Sequence, residues 1–122
     1  MNFKPNKPIY LQIVDFCFQN ILTSEWAKDN RIPSVRDLGL TLQVNPNTAM
    51  RAFEYMQAED IIYLKRGMGY FVSPEAKKKI LILQKKEFFD EILPATFESM
   101  DILDISIEEI VKHYEQYKEK QQ

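Results

Sequence analysis

The stretch VNPNTAMR, residues 44–51, sets two asparagines, a proline and a threonine directly before an arginine. Asn45 suits an N-cap, because its side-chain oxygen can accept from a backbone N–H left free in the first helical turn. Pro46 then takes the first helical position, where its missing donor is no loss. A helix is therefore predicted to begin at Pro46. Along it Ala49, Ala52, Phe53 and Met56 fall on one face, and Asn47, Thr48, Arg51 and Tyr55 on the other. The pattern is a core-facing stripe backed by polar side chains.

Upstream, PSVRDLGLTLQ offers Ser34 as an N-cap with Asp37 three residues later, and Val35, Leu38 and Leu42 recur at helical spacing. Only Gln43 and Val44 separate this second helix from Asn45. Two helices joined so tightly must cross steeply, as in a helix-turn-helix. From Pro8 to about Thr23, IYLQIVDFCFQNILT carries apolar residues on more than one helical face, which predicts a mostly buried first helix; TSEWAKDNRI reads as a polar connection. Downstream, IIYLKRGMGYFV predicts strands at Ile61–Lys65 and Tyr70–Ser73 around a turn at Arg66–Gly69, a hairpin or wing.

Composition shifts at Ser73. Ser73 and Pro74 predict another cap and first-turn proline, EAKKKILILQKKEFFDEIL continues helically to Pro94, and Ser106 with Glu109 forms a capping-box candidate ahead of a last helix. The expected architecture is α+β, mostly α. Residues 1–76 form an N-terminal winged helix-turn-helix of three helices plus a β-hairpin wing, and residues 77–122 a small C-terminal helical dimerisation region.

The 122 residues, 45% of them hydrophobic, suffice for one core but not for two enzyme-sized domains. With a net charge of −2, any nucleic-acid contact must come from a local basic face. Residues 1–73 carry 8 Lys or Arg against 7 Asp or Glu, and residues 74–122 carry 8 against 11, so the acidic surplus sits in the second part. Cys17, the single cysteine, lies in an apolar run and reads as a small buried hydrophobe. No apolar run reaches the roughly 20 residues needed to span a bilayer, and MNFKPNKPIY lacks the apolar core of a secretory signal, so the cytoplasm is the expected compartment. His113, with Glu109, Glu115 and Glu119 nearby, reads as a solvated helix face rather than a metal site. No catalytic constellation and no cofactor motif is visible.

The outward residues of the third helix have the chemistry of base reading. Asparagine pairs bidentately with adenine and arginine with guanine, while threonine can meet a phosphate or a thymine methyl. Lys65 and Arg66 supply cations to a wing, and Gly67 and Gly69 let backbone approach a duplex where side chains would collide. Trp26 and the aromatics Tyr10, Phe16, Phe18, Phe53, Tyr63, Tyr70 and Phe71 read most simply as core and inter-element packing, with a phosphate hydrogen bond from Tyr10 or Tyr63 as the lesser alternative.

Taken in order, PIYLQI, IPSVRDL, QVNPNTAMRAFEYMQAEDII and KRGMGYFV resemble the winged-helix domain of GntR-family transcription regulators over residues 8–73. The short tail and the VNPNT opening are similar to the YtrA-like subfamily, which carries a small helical dimerisation region instead of a large effector domain. The resemblance implies DNA contacts from Ser34 and Arg36 in the P-S-x-R block, from Asn45, Asn47 and Thr48 at the helix opening, and from the wing tip. It departs at Pro46, where most of the family has arginine, and at Met50, where another basic residue is common; Arg51 is positioned to take up part of that role, and Tyr55, outward a turn later, is a further expected DNA contact. The implied function is a homodimeric repressor on a palindromic operator. The competing class is a winged-helix module that binds protein rather than DNA.

Beyond Ser73, apolar side chains including Ile80, Leu83, Leu81, Phe88, Phe89, Ile92, Phe97, Met100, Leu103 and Ile110 need a partner surface, since burying each is worth roughly 1.5–3 kcal/mol. Both the first helix and a second copy of the chain are open to them. For an interface between copies, Leu81, Phe88, Phe89, Ile92, Phe97, Met100, Leu103 and Ile110 are the expected residues. A tail this short leaves a small-molecule effector only the dimer interface or the junction between the two parts.

Overall fold

The computed structural model describes residues 6–122, so the expected first domain begins outside the described residues, as does part of the N-terminal segment weighed as a signal. Helix α1 spans Ile9–Leu22, α2 Val35–Leu42 and α3 Pro46–Ala58; strands β1, Ile62–Lys65, and β2, Gly69–Val72, follow; α4 spans Ala76–Glu87, α5 Leu93–Leu103 and α6 Ile107–Lys120. The chain divides into a compact unit up to Leu83 and a second from Gln84 to Gln122. No described helix is long and apolar enough to cross a membrane.

In the first unit α3 packs against α1, α2 and β1. Ile13, Val14, Cys17, Phe18 and Ile21 of α1 meet Leu38 and Leu42 of α2, and Ala52, Phe53 and Met56 of α3, in one core that also takes Ile61, Ile62 and Val72. Phe53 is wholly buried and stands edge-on to Tyr70 at 5.0 Å between ring centroids, which ties α3 to the wing. Gln12, the one buried polar side chain of α1, donates to the Lys7 carbonyl at 2.8 Å.

The caps follow the sequence. Ser34 Oγ accepts from the Asp37 N–H at 3.1 Å, and Asn45 Oδ1 accepts from the Asn47 N–H at 2.8 Å. Between them Gln43 turns with φ 56°, in the left-handed region, and the Val44 N–H donates to the Gly39 carbonyl. Gly39 is buried where α2 passes α3: a Cβ there would stand 3.4 Å from the Val44 carbonyl oxygen and 3.9 Å from Ala49 Cβ. Small residues on both helices let the turn be this short.

The hairpin pairs Ile62 with Val72 through to Lys65 with Gly69, so the connection is Arg66–Met68 and Gly69 is the first residue of β2 rather than the last of the turn. Ile61 and Ser73 lie outside the strands, joined by one bond from the Ser73 N–H to the Ile61 carbonyl. The segment 29–32, expected as plain connection, is a third edge of this sheet. Its Asp29 N–H donates to Val72, its Ile32 N–H donates to Tyr70, and its Asn30 carbonyl accepts from Val72. Its charged composition hid the pairing, which is made by backbone groups and needs no apolar alternation.

Ser73 does not cap α4 through its side chain: its Oγ has no hydrogen-bond partner among the described residues, and it is the Ser73 carbonyl that accepts from the Ala76 N–H. Nor is Ile80 an exposed residue of the tail. It is wholly buried in the first unit's core, with Leu83 packed against it, and Lys79 of the same helix pairs with Asp60.

Pro94 does not end a helix. A π-helical turn, Phe88–Ile92, links α4 directly to α5, and the Leu93 N–H donates to the carbonyl of Phe88 five residues back. Proline removes a donor and crowds the carbonyl one turn earlier; a widened turn accommodates both. Asp104, at φ 55°, stops α5, and Ser106 Oγ then accepts from the Glu109 N–H at 3.2 Å to start α6. In this second unit Phe88 and Phe89 stack edge-to-face at 5.5 Å, and no residue is fully buried.

Candidate nucleic-acid interface

Helix α3 buries Ala49, Ala52, Phe53 and Met56, so the direction opposite that stripe sets what faces solvent. At 100° per residue it centres on Asn47, Arg51 and Glu54, with Met50 beside them. All four are exposed, Met50 at 38%. Thr48 and Tyr55, expected on the outward flank, are drawn out of solvent: Thr48 is half-buried and Tyr55 packs against the core. The outward edge is therefore Asn47, Met50, Arg51 and Glu54. Spacing places Asn47, Arg51 and Glu54 opposite the core but leaves Met50 and Tyr55 equally far from that direction; burial tells these two apart, Met50 being exposed and Tyr55 packed inward.

The Arg51 guanidinium carbon stands 4.0 Å from the centroid of the Tyr10 ring on α1. Such stacking holds a long cation in place without neutralising it. Asn45 commits its side-chain oxygen to the cap, which leaves its NH₂ group available; Ser34 similarly keeps its hydroxyl proton. Arg36, on the first turn of α2, is exposed.

On the wing, Lys65, Arg66, Gly67 and Met68 are exposed, and the Met68 N–H donates to the Lys65 carbonyl at 2.9 Å. Gly67 takes φ 78°, a conformation that favours glycine, and nothing crowds it. Lys65 is held over the Phe71 ring at 4.6 Å and lies 5.9 Å from Tyr63. Tyr63 donates its hydroxyl to Asp29 at 3.0 Å, so its proton is already placed and its pKa is raised by desolvation and by that bond.

Arg31 was not singled out by sequence, because it sits in the charged connection. It forms a bridge with Phe71 and lies across Gly69, with its Nε 3.1 Å from where a Cβ at residue 69 would stand. Glycine at 69 thus makes room for a guanidinium at the wing's base. Among the described residues no group of His, Cys, Asp and Glu is arranged to hold a metal ion.

No family model matches the chain. It is 33% identical over 110 residues to the uncharacterized HTH-type transcriptional regulator YhcF of Bacillus subtilis, covering 90% of this chain and 89% of that protein. The HTH-type transcriptional repressor YtrA of the same organism is 32% identical over 78 residues, 64% of this chain and 60% of the repressor. Among solved structures, a transcriptional regulator of the GntR family from Bacteroides thetaiotaomicron superposes with a TM-score of 0.81 at 41% identity, covering 93% of this chain and 99% of that one. The DNA-binding domain of AraR, solved in complex with operator ORX1, shares the fold at a TM-score of 0.55 and 22% identity over 60% of this chain.

Proposed function

The chain belongs to the GntR family of transcriptional regulators, and on that premise we propose that it binds a palindromic operator as a homodimer and represses transcription by occupying the promoter. The observation that carries the DNA reading is the edge of α3, where Asn47, Met50, Arg51 and Glu54 are exposed while the opposite face is core. In this reading α3 enters the major groove. Asn47 and Arg51 meet base edges, Met50 meets a thymine methyl, and Glu54 accepts from cytosine. Ser34, Arg36, Asn45 and Thr48 contact the backbone around it, while Lys65, Arg66, Gly67 and Gly69 bring the wing to the adjacent strand, with Arg31 behind them. The half-buried Tyr55 then supports the helix rather than touching DNA.

The homodimer is supported by the tail. Leu81, Phe88, Phe89, Ile92, Phe97 and Leu103 are 44–65% exposed, and Ile102, Ile107, Val111, Tyr114 and Tyr117 join them. So many large apolar side chains left in solvent mark an interaction site. A second copy covering residues 77–122 removes it from water and aligns two recognition helices on two half-sites, which raises affinity without new contacts. The similarity to YtrA favours the YtrA-like subfamily.

Selection of bound sequences from random duplexes by the purified chain tests the proposal, with a symmetric site as the expected result. Arg36→Glu and Arg66→Glu should then lose affinity for that site with fold and oligomer intact, and binding should weaken steeply with salt as phosphate contacts release counterions. Absence of duplex binding even at low salt would turn the reading to a winged-helix module that docks on protein.

A further inference from the structure

The first unit contains a cavity of about 280 Å³ whose walls are Ile21 from the end of α1, Trp26 and Ala27 from the connection, Val72 at the end of β2, and Pro74 and Ala76 at the start of α4. We propose that it is a binding site for a small amphipathic anion: an aromatic or aliphatic body carrying a carboxylate or a similar acidic group.

Three features select that chemistry. The walls are apolar, and the volume suits one ring with a short arm, since a cavity of roughly 150 Å³ already takes benzene. Two lysines, Lys28 and Lys77, line the same cavity, and among the described residues neither pairs with a carboxylate. Lys77 instead donates to the Ser24 hydroxyl at 2.5 Å, and Ser24 also lines the cavity with its backbone at φ 64°. Finally, Ser73 contributes to the lining, is 5% exposed, and carries the Oγ that has no hydrogen-bond partner among the described residues. A buried hydroxyl left unsatisfied is unfavourable, and a ligand oxygen within reach would satisfy it.

The walls are also the two segments joined at the base of the wing, where Asp29 donates to the Val72 carbonyl and Val72 to that of Asn30. A bound molecule therefore lies beside Val72, whose backbone pairs with Asp29 and Asn30 at the base of the wing. This site stands apart from the DNA-reading edge and does not depend on it.

Trp26 is the chain's only tryptophan, so its fluorescence reports on the cavity directly. The experiment titrates the full chain with phenylacetate, with its neutral amide phenylacetamide, and with the cation phenethylamine. A saturable change with phenylacetate is expected, with the amide roughly tenfold weaker for want of charge-assisted bonds and the amine weaker still. The Lys28→Gln, Lys77→Gln double variant, whose substitutions are on the surface, should erase the preference for the acid while retaining the amide's binding. No saturable response to any of the three, equal affinity for acid and amide, or a preference that survives the double variant would each overturn the proposal.

Discussion

The guanidinium of Arg51 on α3 lies over the ring of Tyr10 on α1, 4.0 Å from its centroid. The contact joins the cation of the exposed α3 edge to the helix behind it. Because the ring's π-face and not its hydroxyl makes the contact, Tyr10→Phe should bind operator within twofold of the natural chain. Tyr10→Ala should weaken binding by about two- to fivefold, the equivalent of roughly 0.5–1 kcal/mol for an exposed cation–π pair. Equal affinities for the two variants in a gel-shift or anisotropy titration would remove Tyr10 from the account.

Asn45 separates cap from contact. Asparagine and aspartate cap helices equally well, and a carboxylate also suits the positive end of the helix dipole. Asn45→Asp should therefore unfold thermally at or above the natural midpoint, whereas Asn45→Ala should lose about 1 kcal/mol. On DNA the order reverses: the aspartate is repelled by phosphate and should bind more weakly than the alanine. An aspartate variant that keeps full operator affinity would take this residue off the interface.

In the second unit Phe89 and Ile92 are 53% and 52% exposed. Replacing both by aspartate should yield monomers in sedimentation while the first unit keeps its helical signal and the Trp26 environment. Operator affinity should fall by at least about a hundredfold, because the avidity of two linked modules is lost. A variant that remains dimeric would place the interface elsewhere.

Burial pushes the Cys17 thiol up to about 12, through desolvation. A folded pKa above the unfolded value means that the contribution is fully present below pH ~8.5 and drains away as pH rises towards the folded value. Stability measured by denaturant should therefore decline across the alkaline range, and Cys17→Ala should flatten that decline at the cost of a small cavity. Native protein at neutral pH should resist alkylation until it unfolds; rapid labelling of folded chain would contradict the burial.

Much of the first unit was legible because local chemistry and long-range packing agree there. Asn45 followed by Pro46 marks the start of α3 to the residue, and Ser34 and Ser106 mark their helices through the same cap bond, since such signals act within three residues and need no tertiary partner. Spacing alone also separated Ala49, Ala52, Phe53 and Met56 from the polar side of α3.

What only the folded chain decided depends on neighbours distant in sequence. The pairing of 29–32 with β2 is made by backbone groups that any side chain can carry, so composition concealed it and with it the place of Arg31 over Gly69. Ile80 and Phe89 read alike as apolar tail residues, yet the first is sealed in the winged-helix core and the second left in solvent. Hydrophobicity says that a side chain leaves water where it can; which surface receives it is settled by the geometry of the whole chain.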